Sequence, residues 1–316
     1  MSSSAVSAAP DASATLRVVC GPTGAGKSAL AMALAERHGL TIVSADSRQV
    51  YRGFDVGTAK PTDDDRARVR HLGLDVADPA ERWSAARWAD DAAAWIAGIG
   101  LDRALVVGGT GFYLNALTTP LFDESPMDPA RRAALSAELA ALSLDALRRR
   151  CEAADPVRAR LGRTQLLRAI EVVELTGGRL SDLHRERSRP PRFAARWLVV
   201  DPGARLHTQI STRLDAMIAG GWEEEVRALE RSVPADAPAW QACGYRAVRE
   251  YVRGERNLHA TREAILIATR QYAKRQRTWF RHQLDEADVT RVDPHDPRCA
   301  ELVEQWWHGI EARNER

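Results

Sequence analysis

Cysteine is scarce in this chain of 316 residues: there are four, Cys20, Cys151, Cys243 and Cys299, and none stands in C-x-x-C spacing. A disulfide framework and a zinc knuckle are therefore excluded, and a reducing compartment is favoured. Net charge is nearly absent too, at +2, so any affinity for nucleic acid has to come from local clustering of cations. Long apolar runs are missing, since none approaches the ~18 residues of a membrane span. The opening stretch MSSSAVSAAPDASAT carries no Lys or Arg and no apolar run. No secretory leader is expected there, and residues 1–15 read as a disordered tail. A cytoplasmic protein without a membrane partner is expected. What the chain does have is 45% hydrophobic and 28% charged residues, the composition of a packed globular core under a solvated surface.

Short β-branched runs at Leu16–Cys20, Thr41–Ala45 and Ala104–Val107 alternate with stretches of helical spacing. Strands alternating with helices imply an α/β fold with a mainly parallel sheet and right-handed crossovers. Between Asp78 and Ile99 the residues Ala86, Trp88, Ala92, Trp95 and Ile96 are close to one helical face. From Pro126 to Thr176 the chain turns Ala-, Leu- and Arg-rich and offers no strand; Gly177-Gly178 and SRPPR (188–192) then punctuate it. Arg196–Asp201 reads as a strand returning to the sheet. The expected organisation is a core of 16–119 plus 191–316, with a helical insertion domain at 120–190. Helices at 206–219, 222–231, 242–253 and 258–283 and a last strand at Val289–Val292 complete the core.

GPTGAGKS, from Gly21 through Pro22, Thr23, Gly24, Ala25, Gly26 and Lys27 to Ser28, fits the G-x-x-x-x-G-K-[ST] phosphate loop, with a strand before it and a helix after it. Glycines let backbone N–H groups turn inward, the helix N-terminus adds partial positive charge, and Lys27 adds a full one. Ser28 is suited to Mg²⁺. The motif points to a bound di- or triphosphate without saying what happens to it. A γ-phosphoryl-transferring site usually has a second strand ending in an acid; here Ala104–Val107 ends in Gly-Gly-Thr, and Asp46 ends the second strand instead.

Two further stretches concentrate polar groups. After Val43 come Asp46, Arg48, Gln49, Tyr51, Thr58 and Lys60; taken alone, Asp46 is equally a general base or a structural carboxylate that caps a helix or associates with Mg²⁺. Further on, Arg270, Lys274, Arg277 and Arg281 share one face of a helix interleaved with Tyr272, Trp279 and Phe280. Basic and aromatic groups together suit RNA with unstacked bases, and a solvated basic face over packed aromatics is the other reading. The insertion adds Arg131, Arg132, Arg148, Arg149, Arg150, Arg163 and Arg168.

The blocks GPTGAGKSAL, SADSRQVYRGFDVGTAKP, LVVGGTGFYLNAL, LLRAIEV, CGYR and RQYAKRQRTWFR, in this order from about Leu16 to Arg281, resemble those of tRNA dimethylallyltransferases. That resemblance implies a P-loop NTPase-like α/β core with a helical insertion. It also implies transfer of a dimethylallyl group from dimethylallyl diphosphate to the exocyclic amine of the adenosine 3′ of the anticodon, with release of diphosphate. By the same resemblance Asp46 is the base, Thr110 lies at the reacting centre, and Thr23, Lys27, Ser28 and Arg213 surround the diphosphate and Mg²⁺. Contacts to the anticodon stem-loop of tRNA are implied at Asp46, Ser47, Arg48, Gln49, Thr110, Arg132, Gln165 and Arg168. They are implied again across Gln241, Cys243, Gly244, Tyr245 and Arg246, while Arg270, Lys274 and Arg277 extend them along the basic helix. The chain departs from the family pattern at Gln165–Glu171, at Gln209 and around Arg70–Gly73. A monomer is expected. Arg48, Gln49 and Tyr51 are expected to hold the extruded nucleotide. A small-molecule kinase would leave the basic helix unexplained, and a simple RNA binder would leave Asp46 beside a phosphate loop unexplained.

Overall fold

The structure, a computed structural model, describes residues 15–119, 127–186 and 191–309. The expected tail up to Ala14, the start of the expected insertion at 120–126 and part of the SRPPR loop lie outside those residues. The described residues divide into two compact units, one of 15–118 with 193–309 and the other drawn from 119–192.

The first unit is built on six parallel strands: β1 (Leu16–Cys20), β2 (Thr41–Ser44), β3 (His71–Leu72), β4 (Ala104–Gly108), β5 (Ala195–Val200) and β6 (Val289–Val292). Their order across the sheet is β3-β2-β4-β1-β5-β6, with β1 paired to β4 on one side and to β5 on the other. Every residue of β2 and β4 is buried, as apolar strands covered on both faces require. Helices α1 (Lys27–His38), α2 (Asp63–Arg68), α3 (Ala85–Ile99) and α4 (Gly111–Thr118) connect the first strands. Because the chain leaves β1 for β2 and returns to fill the gap with β4, the order reverses beside β1. A crevice opens there beyond the strands' carboxyl ends, the usual ligand position in such sheets.

The second unit holds α5 (Pro129–Ala140), α6 (Leu144–Ala154), α7 (Arg163–Thr176) and α8 (Leu180–Glu186). Leu139, Leu147, Cys151, Leu166 and Ile170 form a core of its own. The first unit resumes with α9 (Leu206–Ala219), α10 (Trp222–Leu229), α11 (Tyr245–Val252), α12 (Leu258–His282) and α13 (Cys299–His308).

Several elements differ from the sequence reading. In α3 the buried residues are Trp88, Ala89, Ala92 and Ile96, whereas Ala86 is exposed; at about 100° per residue, Ala86 lies some 200° from Trp88. Helix α2, DDDRAR, buries nothing, so it has no periodicity to find; a capping box between Thr62 and Asp65 starts it. Strand β3 is too short for alternation to register, and a further helix, α13, follows the last expected strand. The helix expected at 242–253 begins only at Tyr245, because Gly244 stands at φ 92 in the left-handed region.

Candidate active site

Three loops meet at the carboxyl ends of β1, β2 and β4. The first is the phosphate loop. Gly21, at φ 143, lies so close to β5 that a Cβ on it would stand 2.2 Å from the Val200 carbonyl oxygen, so only glycine fits. Lys27 Nζ donates to the Pro22 carbonyl at 2.8 Å. The second loop carries Asp46, whose Oδ1 accepts from the Arg48 amide at 2.8 Å. The third is Gly108-Gly109-Thr110. Its Thr110 amide donates to the Ala45 carbonyl at 3.2 Å, and Thr110 Oγ1 accepts from the Ser47 amide at 3.0 Å. A Cβ on Gly108 would stand 2.2 Å from the Ala45 carbonyl oxygen, so the second and third loops touch backbone to backbone.

Two cavities open on these loops. The smaller, about 390 Å³, is lined by the phosphate loop from Thr23 to Ser28 together with Asp46, Gln49 and His71. The larger, about 590 Å³, is lined by Ser47, Arg48, Thr110 and Phe112 on one side. Ile210, Leu214, Met217, Trp222 and Ile265 form its apolar wall. Thr23, Asp46, Gly109, Arg213, Tyr272 and Gln276 border both. An anion cradle and a mostly apolar chamber therefore share one rim, and the carboxylate of Asp46 is on it.

The cations at that rim are held in an unusual state. Desolvation, reinforced by the Arg213 charge and opposed by Asp46, pushes Lys27 down to about 8. Burial also lowers Arg213, again opposed by Asp46. Arg213 Nη1 donates to Thr23 Oγ1 at 2.8 Å, which links α9 to the phosphate loop. Burial, with the Asp46 charge in the same direction, raises Tyr272 to about 12, and this residue lines the larger cavity with Thr110. Positive charge unpaid by nearby protein acids is what a diphosphate needs on arrival.

The remaining sequence candidates divide. Gln241 and Cys243 line the larger cavity, with Cys243 Sγ 3.4 Å from Thr269 Oγ1. Arg270, Lys274 and Arg246 are exposed, Arg246 pairing with Glu250 at 3.0 Å. Arg277, by contrast, is taken up by Asp201 just after β5, at 2.9 Å and 2.5 Å. Tyr245 is wholly buried against Phe54 and Trp222, its hydroxyl donating to Glu225 at 2.6 Å. Gly244 fits under Trp222, where a Cβ would lie 2.3 Å from the ring. Tyr51 is 3% exposed. Gln49 accepts from Ser44 Oγ at 3.0 Å and donates to the Thr58 and Ala59 carbonyls. Tyr51 is thus taken up by the core, whereas Gln49, with these bonds, still lines the smaller cavity. In the second unit, Arg132 forms a fork on Glu171 at 2.7 and 3.2 Å, Arg168 pairs with the same carboxylate, and Gln165 caps the Gly162 amide at 3.2 Å.

Thr58 and Lys60 have structural employment. Lys60, its side chain 1% exposed, donates to the Tyr51 carbonyl, Asp55 and Asp75 at 2.5, 2.6 and 2.5 Å. Thr58 Oγ1 donates to the Phe54 carbonyl at 2.6 Å. Together they fold the 51–60 loop on itself. The residue that sequence reasoning missed is Gln276. Its Oε1 accepts from the Thr23 amide at 2.8 Å and its Nε2 donates to the Gly109 carbonyl at 2.7 Å. A neutral amide between cations carries no charge signal; its spacing of four from Tyr272 and three to Trp279 was the available clue.

The family model described as "IPP transferase" matches residues 49–283, and that described as "Isopentenyl transferase" matches 14–78. A protein of Anaeromyxobacter sp. (strain K) named tRNA dimethylallyltransferase is 44% identical over 288 residues, 89% of this chain and 94% of its own. One of the same name from Halorhodospira halophila is 45% identical over 292 residues, covering 88% and 94%. Among solved structures, the tRNA isopentenylpyrophosphate transferase of Bacillus halodurans superposes with a TM-score of 0.65 at 30% identity, over 94% of this chain and 98% of that one. A eukaryotic dimethylallyltransferase acting on tRNA shares the fold at a TM-score of 0.78 and 22% identity, over 95% and 81%.

Proposed function

The chain belongs to the tRNA dimethylallyltransferase family, and we propose that it transfers a dimethylallyl group from dimethylallyl diphosphate to the exocyclic amine of the adenosine 3′ of the anticodon in tRNA. The observation that carries this reading is the shared rim, where one carboxylate, Asp46, stands between an anion cradle and a chamber large enough for a purine.

The donor's diphosphate lies against the phosphate-loop amides, Lys27 and Arg213. The adenine, extruded from its stack, enters the apolar chamber beside Trp222 and Ile265. Its amine attacks the first carbon of the prenyl chain, the carbon–oxygen bond breaks, and the electron pair leaves on the diphosphate. Asp46 takes the proton from the amine. An adenine amine is weakly nucleophilic, and a positioned base of this kind contributes roughly 10²–10⁴-fold. Lys27 and Arg213 face the charge that grows on the departing group.

Mg²⁺ is the implied cofactor, and the Ser28 hydroxyl, an oxygen donor lining the smaller cavity, would hold it there. Among the described residues no group of three or more His, Cys, Asp or Glu could hold a metal, so the ion would take its other ligands from the diphosphate and water. When bound, it supplies further positive charge against the leaving group. Both cavities come from one chain, which supports action as a monomer. No helix among the described residues is long and apolar enough to cross a membrane, and a tRNA substrate supports a cytoplasmic location.

The test is incubation with unmodified tRNA and either labelled dimethylallyl diphosphate or labelled ATP. Label is expected in tRNA from the prenyl donor alone. Phosphate transfer from ATP to a small acceptor, with no prenylated RNA, would sink the reading.

A further inference from the structure

Tyr272, Gln276 and Trp279 of α12 follow the i, i+4, i+7 spacing of one helical face. All three lie beside the chain that runs from the end of β4 into α4. Tyr272 lines the larger cavity with Thr110, Gln276 donates to the Gly109 carbonyl, and Trp279 packs so close to Gly111 that a Cβ there would lie 2.4 Å from the ring. Only Gln276 of the three also reaches the phosphate loop, through the Thr23 amide. It is 6% exposed, on a face it shares with the buried Ala273 and Phe280. A polar side chain in such a place is costly unless its hydrogen-bonding groups are matched. Here both ends of the amide are matched, and they join two different loops.

Those loops have separate tasks in the proposed reaction. Thr23, whose hydroxyl accepts from Arg213, belongs to the diphosphate side. Gly109 leads into Thr110, which holds the Ser47 amide next to Asp46 on the acceptor side. The separation of these loops sets how far the leaving group stands from the base.

We propose that Gln276 is a positioning residue for the transfer step: its side-chain amide, hydrogen-bonded at both ends to protein backbone, fixes the spacing between the diphosphate cradle and the Asp46–Thr110 acceptor side. The inference rests on the prenyl-transfer reading. Misplacement by about 1 Å in such a geometry costs up to roughly 10²-fold in rate. The loss therefore belongs in the transfer rate and not in donor binding, because Lys27, Arg213 and the loop amides remain.

The experiment uses the full chain with tRNA and dimethylallyl diphosphate, measuring kcat, single-turnover rate and donor KM. Gln276→Met keeps the length and removes both hydrogen bonds; it is expected to lower kcat on the order of tenfold to a hundredfold with donor KM changed less than about threefold. A kcat within about twofold of the unaltered protein, or a loss confined to donor KM, overturns the proposal. Gln276→Glu supplies a second measurement that holds even if the Met variant does not fold. Its protonated carboxyl can accept from Thr23 and donate to Gly109, as the amide does, whereas the carboxylate can only accept. Its kcat relative to the unaltered protein should therefore rise as pH falls from 8 to 6. A flat ratio overturns the proposal. An unaltered protein that does not prenylate tRNA at all would instead sink the function reading, so the two failures are separable.

Discussion

Raising the pH should weaken donor binding before it affects the fold. Lys27, at about 8 in the unliganded protein, is depressed by burial and by Arg213. A lysine whose pKa is lowered carries its charge below that value and loses it as pH rises through it. If only the ammonium form accepts the diphosphate, the competent fraction is about 0.9 at pH 7 and about 0.1 at pH 9, so apparent affinity falls about tenfold over that interval. Binding brings a polyanion within reach of the amine and draws its pKa upward again, so a proton is taken up on binding at alkaline pH. The assay is calorimetric titration with a non-transferring thiolo analogue of the prenyl diphosphate at pH 7, 8 and 9. Running it in two buffers of different ionisation enthalpy measures the uptake, expected to be small at pH 7 and about 0.9 proton at pH 9. An affinity that changes less than about twofold, with no buffer-dependent enthalpy at pH 9, would refute the reasoning and place the Lys27 charge outside the binding step.

Other expectations follow from single contacts. Asp46→Asn should bind donor and tRNA with unchanged affinity, since the amide oxygen can still accept from Arg48, while turnover falls roughly 10²–10⁴-fold in a single-turnover assay. Arg213→Ala removes a charge-assisted hydrogen bond to Thr23 and a cation facing the diphosphate; donor KM should rise about tenfold to a hundredfold in steady-state kinetics. Lys60→Met strips three acceptors of their buried donor. Because Asp55 and Asp75 are partly exposed and can rehydrate, the loss should be about 2 kcal/mol, read from denaturant unfolding. Gly244→Ala forces a side chain into the left-handed region and against Trp222, so it should lower the melting temperature and cost at least about 1–3 kcal/mol from the backbone alone.

Some corrections to the sequence reading share one cause. Tyr51 is expected from its place beside Asp46 to hold the extruded nucleotide, and the resemblance implies a tRNA contact at Tyr245, yet both side chains are buried in the core. Arg277 belongs to a basic helical face by spacing, but Asp201, 76 residues away, neutralises it. In the second unit, Arg150 bridges Glu138 and Glu174 in the same way, at 2.6 Å to each. Spacing along a helix tells which side chains share a face. It does not tell which acid another element will bring to that face.

By itself the chain determined the pieces whose cause lies in adjacent residues. The β-branched run, the glycine turn and the helix start around GPTGAGKS dictate a phosphate loop, because strand, turn and helix N-terminus are all local consequences. The alternation of strands and helices likewise dictated a parallel sheet, and the end of β2 dictated where Asp46 would emerge. Tertiary structure alone decided what closes on that loop. Arg213 reaches Thr23 across 190 residues and Gln276 reaches it across 253. No local pattern encodes those meetings; they exist because α9 and α12 pack beside the point where the strand order reverses, and burial there selects side chains that satisfy one another.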